Sequence, residues 1–242
     1  MAFSVTDQLG TVGSTGATLA MTVNATVAIG SLVVVSVMEL NTTGTAGTLA
    51  DSAGNSYTKA NDASPAATNS NGRASVFYCL KTTGTLTGGS STITYTRVTS
   101  AVATGICAIS STYAGTIILD KNATPTTGTG TTNLTISATG TSGTELYVGA
   151  GGIKSAGAGI FTQGTGFSNG PDYENAGGGT CGSMGGNKTG SGAQTWAPTL
   201  SVSRSWAMFL LVFQEQTGRL FRVPDMDGIG VGGPFFADPL GG

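Results

Sequence analysis

"SWAMFLLVFQ", residues 205–214, contains the longest apolar run of the chain, and a second run of this kind, "SLVVVSVMEL", occupies residues 31–40. Both runs are shorter than the ~18 apolar residues that a membrane-spanning helix needs. Apolar residues at nearly every position are typical of a strand that is covered on both faces. We therefore predict that these two segments are central strands of β-sheets.

Nine further apolar or alternating runs lie between clusters of turn residues, at 3–6, 18–23, 55–60, 74–80, 91–98, 101–113, 132–138, 144–153 and 195–203. In one of them Ile93, Tyr95 and Arg97 alternate with threonines, which is the pattern of a half-buried antiparallel strand. No segment carries a helical 3.6-residue stripe over more than a turn or two. Eleven strands at this spacing predict an all-β fold, either a sandwich or a barrel. We favour an antiparallel two-sheet β-sandwich with jelly-roll character.

The composition agrees with one β-rich globular domain, which we place at residues 1–216. Only 9% of the 242 residues are charged, whereas an ordinary domain has roughly 25%. Glycine and threonine each occur 40 times, and this pairing favours strands and turns. Hydrophobic residues make up 39% of the chain and the net charge is −2, so the chain does not have the composition of a disordered protein.

The same figures exclude several classes of function. Ten basic residues scattered along the chain make no patch for nucleic acid, and no run has the length of a membrane span. Histidine is absent, which removes Ser-His-Asp and Cys-His catalysis and histidine-rich metal sites. We expect no enzymatic activity, no cofactor and no metal.

Two regions are predicted to be loops. Residues 61–72 are polar and include Pro65, so we expect them on the surface. Residues 154–194 form a long Gly-rich region, in which we expect short strands around Phe161 and Cys181. The repeated "TTGT" fragments, one of them at 126–129, are interpreted as turns.

The cysteines and the N-terminus bear on the compartment. Cys79, Cys107 and Cys181 are odd in number and have no short spacing, so we expect buried free thiols in a reducing cytoplasm. The N-terminal "MAFSVTDQLG" has neither the basic start nor the apolar centre of a signal peptide.

Two acidic stretches have some features of calcium loops. "DSAGNSY", residues 51–57, has one carboxylate where a calcium loop usually has several, so we interpret it as a turn with Gly54 at positive φ. "DMDG", residues 225–228, is interpreted as a polar turn because no glutamate follows at the required distance.

Aromatic side chains near predicted strand ends suggest an alternative, carbohydrate-binding function. Tyr57, Tyr113, Tyr173 and Trp196 could stack on sugar rings if they are exposed, whereas Trp206 belongs to a predicted core strand.

The pattern and order of "VTDQLGTVGSTGATLAMTV", "GSLVVVSV", "DSAGNSYTKA", "ASVFYCL" and "GTELYVGAGGI", which lie within residues 1–153, resemble a group of jelly-roll-like β-sandwich proteins. Proteins of this group occur in bacteriophage virions and on some bacterial surfaces. The resemblance implies a virion-surface part, such as a capsid decoration (cement) protein or a fibre domain, and it carries no catalytic residues. A protein of this kind would be made in the host cytoplasm and assembled into the virion with copies of itself, for example as a trimer, and with a capsid protein. The fibre alternative would bind a glycan.

The C-terminal residues 217–242 have no alternation or helical spacing but contain several large apolar side chains. Leaving such side chains in water would forfeit ~1.5–3 kcal/mol each. We predict an extended arm that docks on a neighbouring subunit or on its own sandwich. The predicted partner-contacting residues are Phe221, Pro234, Phe235, Phe236, Pro239 and Leu240.

Overall fold

The structure is a computed structural model that describes residues 5–40, 46–64, 72–98, 106–113, 117–141, 143–154, 161–169, 173–174 and 181–215. Within these ranges the chain forms eighteen β-strands and no helix. All of the strand pairs are antiparallel, so the prediction of an all-β antiparallel fold is confirmed.

The strands divide into two halves along the chain. The N-terminal half contains β1 (Val5–Ser14), β2 (Thr18–Thr22), β3 (Leu32–Leu40), β4 (Thr48–Asp51), β5 (Thr58–Ala63), β6 (Gly72–Cys79), β7 (Thr92–Thr96) and β8 (Ile106–Tyr113). The C-terminal half contains β9 (Ile117–Asn122), β10 (Thr126–Asn133), β11 (Ile136–Thr139), β12 (Glu145–Lys154), β13 (Phe161–Thr162), β14 (Ser168–Asn169), β15 (Tyr173–Glu174), β16 (Cys181–Gly190), β17 (Ala193–Trp196) and β18 (Thr199–Glu215).

Four sheets stack on one another, where the sequence predicted two. The N-terminal half forms a five-stranded sheet, β1-β8-β3-β6-β5, and a three-stranded sheet, β2-β7-β4. The C-terminal half forms an eight-stranded sheet around β10-β18-β12-β16-β14, and a two-stranded sheet, β11-β17. The two large sheets pack face to face, and each small sheet covers the outer face of one large sheet.

Three apolar clusters hold these layers together. The inner cluster lies between the two large sheets and includes Val34 and Met38 of β3 with Phe209 and Leu211 of β18. The first outer cluster lies between the five- and three-stranded sheets, and the second outer cluster lies between the eight- and two-stranded sheets. Each large side chain that is fully buried stabilises the fold by about 1.5–3 kcal/mol. The inner cluster therefore joins the two halves of the chain.

Both halves have the same strand order. In the N-terminal half β1 pairs with β8, β2 with β7 and β3 with β6, and β8 also pairs with β3. In the C-terminal half β10 pairs with β18, β11 with β17 and β12 with β16, and β18 also pairs with β12. In each of these two sets of strands, the first strand in the sequence pairs with the last, and the pairing continues inwards along the sequence. The chain therefore repeats one folding pattern.

The two apolar runs are central strands, as predicted. Every residue of β3 is buried, and β3 is the middle strand of its sheet. Residues 206–213 of β18 are buried as well. β18 is longer than expected because the predicted strand at 195–203 divides at Pro198, and its second part continues into β18 without a turn. Trp206 is buried there as predicted, and its Nε1 donates to Thr131 Oγ1 over 2.9 Å.

The predicted loop at 154–194 contains more strand than expected. A short strand begins at Phe161 as predicted, but the strand at Cys181 has ten residues and pairs with β12 along its whole length. Its glycines make room for larger neighbours: a Cβ atom on Gly186 would lie 3.0 Å from Trp196 Nε1. Glycine therefore serves here as a close-packing residue within a strand.

The "TTGT" fragment at 126–129 was wrongly interpreted as a turn, since it lies in β10. β10 pairs with β18, and Gly128 faces the Trp206 ring so closely that an added Cβ atom would lie 2.5 Å from Cζ2.

β4 and β9 were not predicted. The surface loop at 61–72 is shorter than predicted, because β5 runs to Ala63 and β6 begins at Gly72, and Pro65 lies outside the described residues.

The cysteine prediction was right for Cys79, which is a buried free thiol, and burial raises the pKa of that thiol. It was wrong for Cys181, which is fully buried and disulfide-bonded. Spacing along the sequence could not show that the fold brings Cys181 into the inner cluster between the two halves.

Candidate interaction surface

The six predicted partner-contacting residues, Phe221, Pro234, Phe235, Phe236, Pro239 and Leu240, lie outside the described residues, as does the stretch "DMDG". Glu215, the last residue of β18, is also the last residue that the structure describes. The predicted arm thus follows directly on a central strand of the eight-stranded sheet.

The outer face of the three-stranded sheet is the first candidate surface. Alternate residues such as Leu19, Met21 and Ile93 point into the first outer cluster. The opposite face carries the exposed or half-exposed side chains of Thr18, Ala20, Thr22, Thr48, Ala50, Thr92, Thr94 and Thr96. The strand register places Thr18, Thr96 and Thr48 in one row across the sheet. Alternation thus produces a face of short, uncharged hydroxyl and methyl groups.

The two-stranded sheet presents a similar face at the other side of the stack. Ser137, Thr139, Ala193 and Thr195 are exposed there, and the Ser137 and Thr195 hydroxyl oxygens lie 2.8 Å apart. Ile136 and Trp196 point the other way, into the second outer cluster. The molecule therefore carries two uncharged faces on its two outermost layers.

Charged side chains lie instead along an edge of the five-stranded sheet. Asp62 accepts from Lys59 Nζ over 2.6 Å and from Arg73 Nη1 over 2.8 Å. Pairs of this kind at a protein surface contribute about 0–1 kcal/mol to stability. Charges and a register irregularity on an edge strand such as β5 hinder pairing with strands of other molecules. The outer faces have no such protection by charge.

A buried ion pair lies at the end of β3, between the five- and three-stranded sheets. Arg97 Nε donates to Glu39 Oε2 over 3.2 Å, and the Tyr95 hydroxyl donates to Glu39 Oε1 over 2.8 Å. Arg97 Nη2 also donates to the Leu40 carbonyl oxygen over 2.9 Å, and the Gly47 amide donates to the Tyr95 hydroxyl over 2.6 Å. These contacts tie the three-stranded sheet to β3.

Burial dominates the ionisation of this cluster. The pKa of Glu39 is raised because desolvation disfavours the carboxylate, although the Tyr95 hydroxyl and the Arg97 charge partly offset this effect. The pKa of the Tyr95 hydroxyl is raised by burial and by the neighbouring Glu39 charge. The contacts with backbone atoms of Leu40 and Gly47 indicate a structural role for the cluster.

The stretch 51–57 is the turn that the sequence predicted, with Gly54 at φ 75°. The Asp51 carboxylate accepts from the Ala53 and Asn55 amides and from the Tyr57 hydroxyl, over 2.9, 3.0 and 2.8 Å. Asn55 also accepts from the amide of Gly84 over 2.8 Å and so fastens a second loop. The single carboxylate is thus occupied by groups of its own chain.

The C-terminal half has a comparable buried group. The Tyr147 hydroxyl lies 3.0 Å from Glu145 Oε2 and 2.5 Å from the Gly192 carbonyl oxygen, and it accepts from the Gly140 amide over 3.1 Å. Glu145 is fully buried. As in the N-terminal half, a buried carboxylate and a tyrosine join separate segments of one half.

Of the four aromatic residues suggested for sugar binding, the structure describes the side chains of Tyr57 and Trp196. Trp196 is fully buried, contrary to that suggestion, because Gly149 and Gly186 leave space for its ring and Gln163 Oε1 accepts its Nε1 proton over 3.0 Å. Tyr57 is half-buried with its hydroxyl on Asp51. The other two tyrosines lie at strand ends, and their side chains are outside the description.

Within the described ranges, acidic and cysteine side chains do not gather into groups of three or more that could hold a metal ion. Over the same ranges there is no helix with the length and apolar character of a membrane-spanning segment. Comparison of the chain with profiles of known protein families, with curated proteins and with solved structures finds no match.

Proposed function

We propose that this chain is a structural protein of a bacteriophage virion, a capsid decoration (cement) protein on the exterior of the shell. It acts by burying surface against neighbouring subunits. A protein that binds only the assembled shell shifts the equilibrium towards assembly, so its action needs no chemical step. Its partners are copies of itself, arranged around a threefold axis, and the major capsid protein or another virion protein.

The observation that carries this proposal is the strand order repeated in both halves. The pairing of β1 with β8, β2 with β7 and β3 with β6, and of β10 with β18, β11 with β17 and β12 with β16, supports the strand order of a jelly roll. Jelly rolls build viral capsid and lectin domains. We therefore assign jelly-roll character to each half, and the chain to a pair of such sandwiches packed on one another.

The outer faces support a role in assembly. Threonine, serine and alanine side chains lose little conformational entropy when they are fixed at a contact. Depletion of charge is typical of the centre of protein interfaces. Two such faces on opposite layers would allow one molecule to contact neighbours on both sides.

The C-terminal arm supplies the proposed clasp. Phe235, Phe236 and Leu240 provide apolar area, while Pro234 and Pro239 limit the entropy lost when the arm becomes ordered on a neighbour. A clasp of this kind would explain apolar side chains that follow the last strand of the sandwich.

The carbohydrate-binding alternative has lost its main candidate residue, because a buried indole such as that of Trp196 cannot stack on a sugar. Jelly rolls also occur in lectins, so the strand order alone does not separate the two functions. The observation favouring assembly is the pair of uncharged faces.

The arm provides the test. Full-length protein and a variant lacking residues 219–242 are mixed with phage particles stripped of the protein, and bound protein is measured after sedimentation. We expect the deletion variant to keep the melting temperature of the full chain but to lose most particle binding. A double variant, Phe235→Ser with Phe236→Ser, should bind weakly, whereas the control Asp238→Ser should bind normally. Undiminished binding of the deletion variant would contradict the clasp.

A further inference from the structure

The disulfide at Cys181 lies where the two halves of the chain meet. Cys181 is the first residue of β16 and belongs to the inner cluster. Its Sγ lies 3.7 Å from the carbonyl oxygen of Met38, a residue of β3 in the opposite sheet. The sulfur of the C-terminal half therefore touches the backbone of the N-terminal half.

The strand register identifies the partner of this sulfur. The chain has three cysteines, and Cys79 is a free thiol in the first outer cluster, on the other face of the five-stranded sheet. The backbone of Cys107 in β8 is paired with that of Met38 in β3. We propose that Cys107 and Cys181 form a disulfide that joins the two halves covalently.

The two large sheets approach closely enough for such a bond. A disulfide requires Cα atoms within about 7 Å, whereas stacked sheets are usually about 10 Å apart. Here the Ser36 hydroxyl donates directly to the backbone carbonyl of Gly151 in the other sheet, over 3.0 Å. A Cβ atom on Gly152 would lie 3.0 Å from the Ala74 Cβ atom. Cα atoms of β16 likewise come within 8 Å of those of β8. Small residues thus create the short separation that the bond needs.

Formation of the bond is an oxidation. Two thiols lose two protons and two electrons and form one sulfur–sulfur bond, and the electrons reduce a low-molecular-weight disulfide to two thiols. The reaction passes through a mixed disulfide with one of the two cysteines. Cytoplasmic thiol systems hold such pairs reduced, so the bond forms when the folded chain meets an oxidising medium. The bond locks the packing of the halves at that moment, whether or not the protein belongs to a virion.

The first test counts the thiols of the full-length protein. The protein is denatured for this count because the Cys79 thiol is buried in the native protein and burial raises its pKa. Protein exposed to oxidised glutathione is denatured and titrated with dithiobis(nitrobenzoic acid). We expect one thiol per chain before reduction and three after, and peptide mapping should find residue 107 linked to residue 181 within one chain. Three thiols before reduction, a bond to Cys79, or a bond between chains would overturn the proposal.

Variants separate the bond from simple packing. Oxidised Cys107→Ala and Cys181→Ala proteins should each lack a disulfide within the chain by peptide mapping and melt roughly 6–12 °C below the oxidised wild type. The double variant should melt no lower than the less stable single variant, because both single changes remove the same bond. The control Cys79→Ala should show no titratable thiol and keep the crosslink. If Cys181 in the Cys107→Ala protein were linked to Cys79, the assignment would be wrong.

Discussion

Replacing Arg97 by methionine should destabilise the protein strongly, because the change leaves the Glu39 carboxylate buried without the cation that is hydrogen-bonded to it, and the remaining Arg73 charge makes the smallest of the contributions that lower the pKa of Glu39. The Arg97 and Glu39 side chains are 1% and 2% exposed, so solvent cannot replace the lost contact. Removing one partner of a buried pair costs about 3–5 kcal/mol. For a chain of this size each kcal/mol corresponds to ~2–4 °C in melting temperature.

The loss should depend on pH in a defined direction. The pKa of Glu39 is already raised by burial, and removing Arg97 removes contributions that lower it. A carboxyl group whose pKa is higher in the folded than in the unfolded state stabilises the protein at low pH, and this contribution is lost as pH rises through the folded pKa. The Arg97→Met variant should therefore lose more stability at pH 8 than at pH 5.

Chemical denaturation at both pH values, followed by tryptophan fluorescence, measures the effect. The double variant Glu39→Gln with Arg97→Met should recover much of the loss, because a neutral amide can still accept from the Tyr95 hydroxyl. Lys81→Met removes an exposed positive charge and serves as the control, with a change near zero. A loss below 1 kcal/mol for Arg97→Met at pH 8 would refute the reasoning about a buried, uncompensated charge.

Three further predictions concern packing and ionisation. Gly152→Ala should cost about 1–3 kcal/mol by overpacking the inner cluster, whereas Gly143→Ala, whose added Cβ atom meets nothing within 4 Å, should be near neutral in the same denaturation assay. Trp196→Ala should cost ~3–5 kcal/mol, and an unchanged unfolding midpoint would contradict its burial. In an alkaline titration followed by tyrosinate absorbance, Tyr57 and Tyr95 should ionise only as the chain unfolds, because burial raises the pKa of both and their stabilisation is lost as pH rises above about 10. Replacing either tyrosine by phenylalanine should remove one ionisation from that step, and normal ionisation of both near pH 10 in the folded protein would be the contrary result.

The apolar runs made the central strands predictable. β3 and residues 206–213 of β18 are buried on both faces, so these sequences predict central strands without reference to the rest of the chain. The alternation around Tyr95 was equally informative, since Ile93, Tyr95 and Arg97 lie on one face of the strand as predicted, and the structure shows that this face is buried. These signals arise because the side chains themselves fill the core.

Strands built from glycine and threonine gave no such signal. β10 is mostly exposed and lies beside Trp206, so the bulky member of the contact belongs to another strand. β16 is buried over seven consecutive residues, but Gly186 in this strand leaves space that the Trp196 side chain fills. A prediction based on side-chain size therefore assigns such strands to loops.

The repeat of the strand order could not be predicted from the sequence, because equivalent positions in the two halves hold different residues. Tyr95 pairs with Leu19 in the N-terminal half, and Trp196 pairs with Ile136 in the C-terminal half. Both aromatic rings are fully buried under their outer sheets. Tyr95 and Trp196 are both buried but are different residue types. Only the pairing of the strands shows that they occupy equivalent positions in the two halves.

The Asp51 turn shows the opposite case. Its residues lie close together in the sequence, and Asp51, Gly54 and Asn55 have the local preferences that the turn needs. The buried pair of Glu39 and Arg97 joins residues far apart in the chain, and no local pattern could indicate it. Local sites were predictable from the sequence, and sites made by packing of sheets were not.

The most direct test of the proposed function is the composition of purified phage particles from the host in which the protein is produced. Particles are banded on a density gradient, and the protein is quantified against the major capsid protein by mass spectrometry with labelled standard peptides. The proposal predicts that the protein bands with intact particles in a fixed ratio to the capsid protein, and that removing it makes the shells open at lower temperature. Protein found only as a free monomer, absent from banded particles, would contradict the proposal.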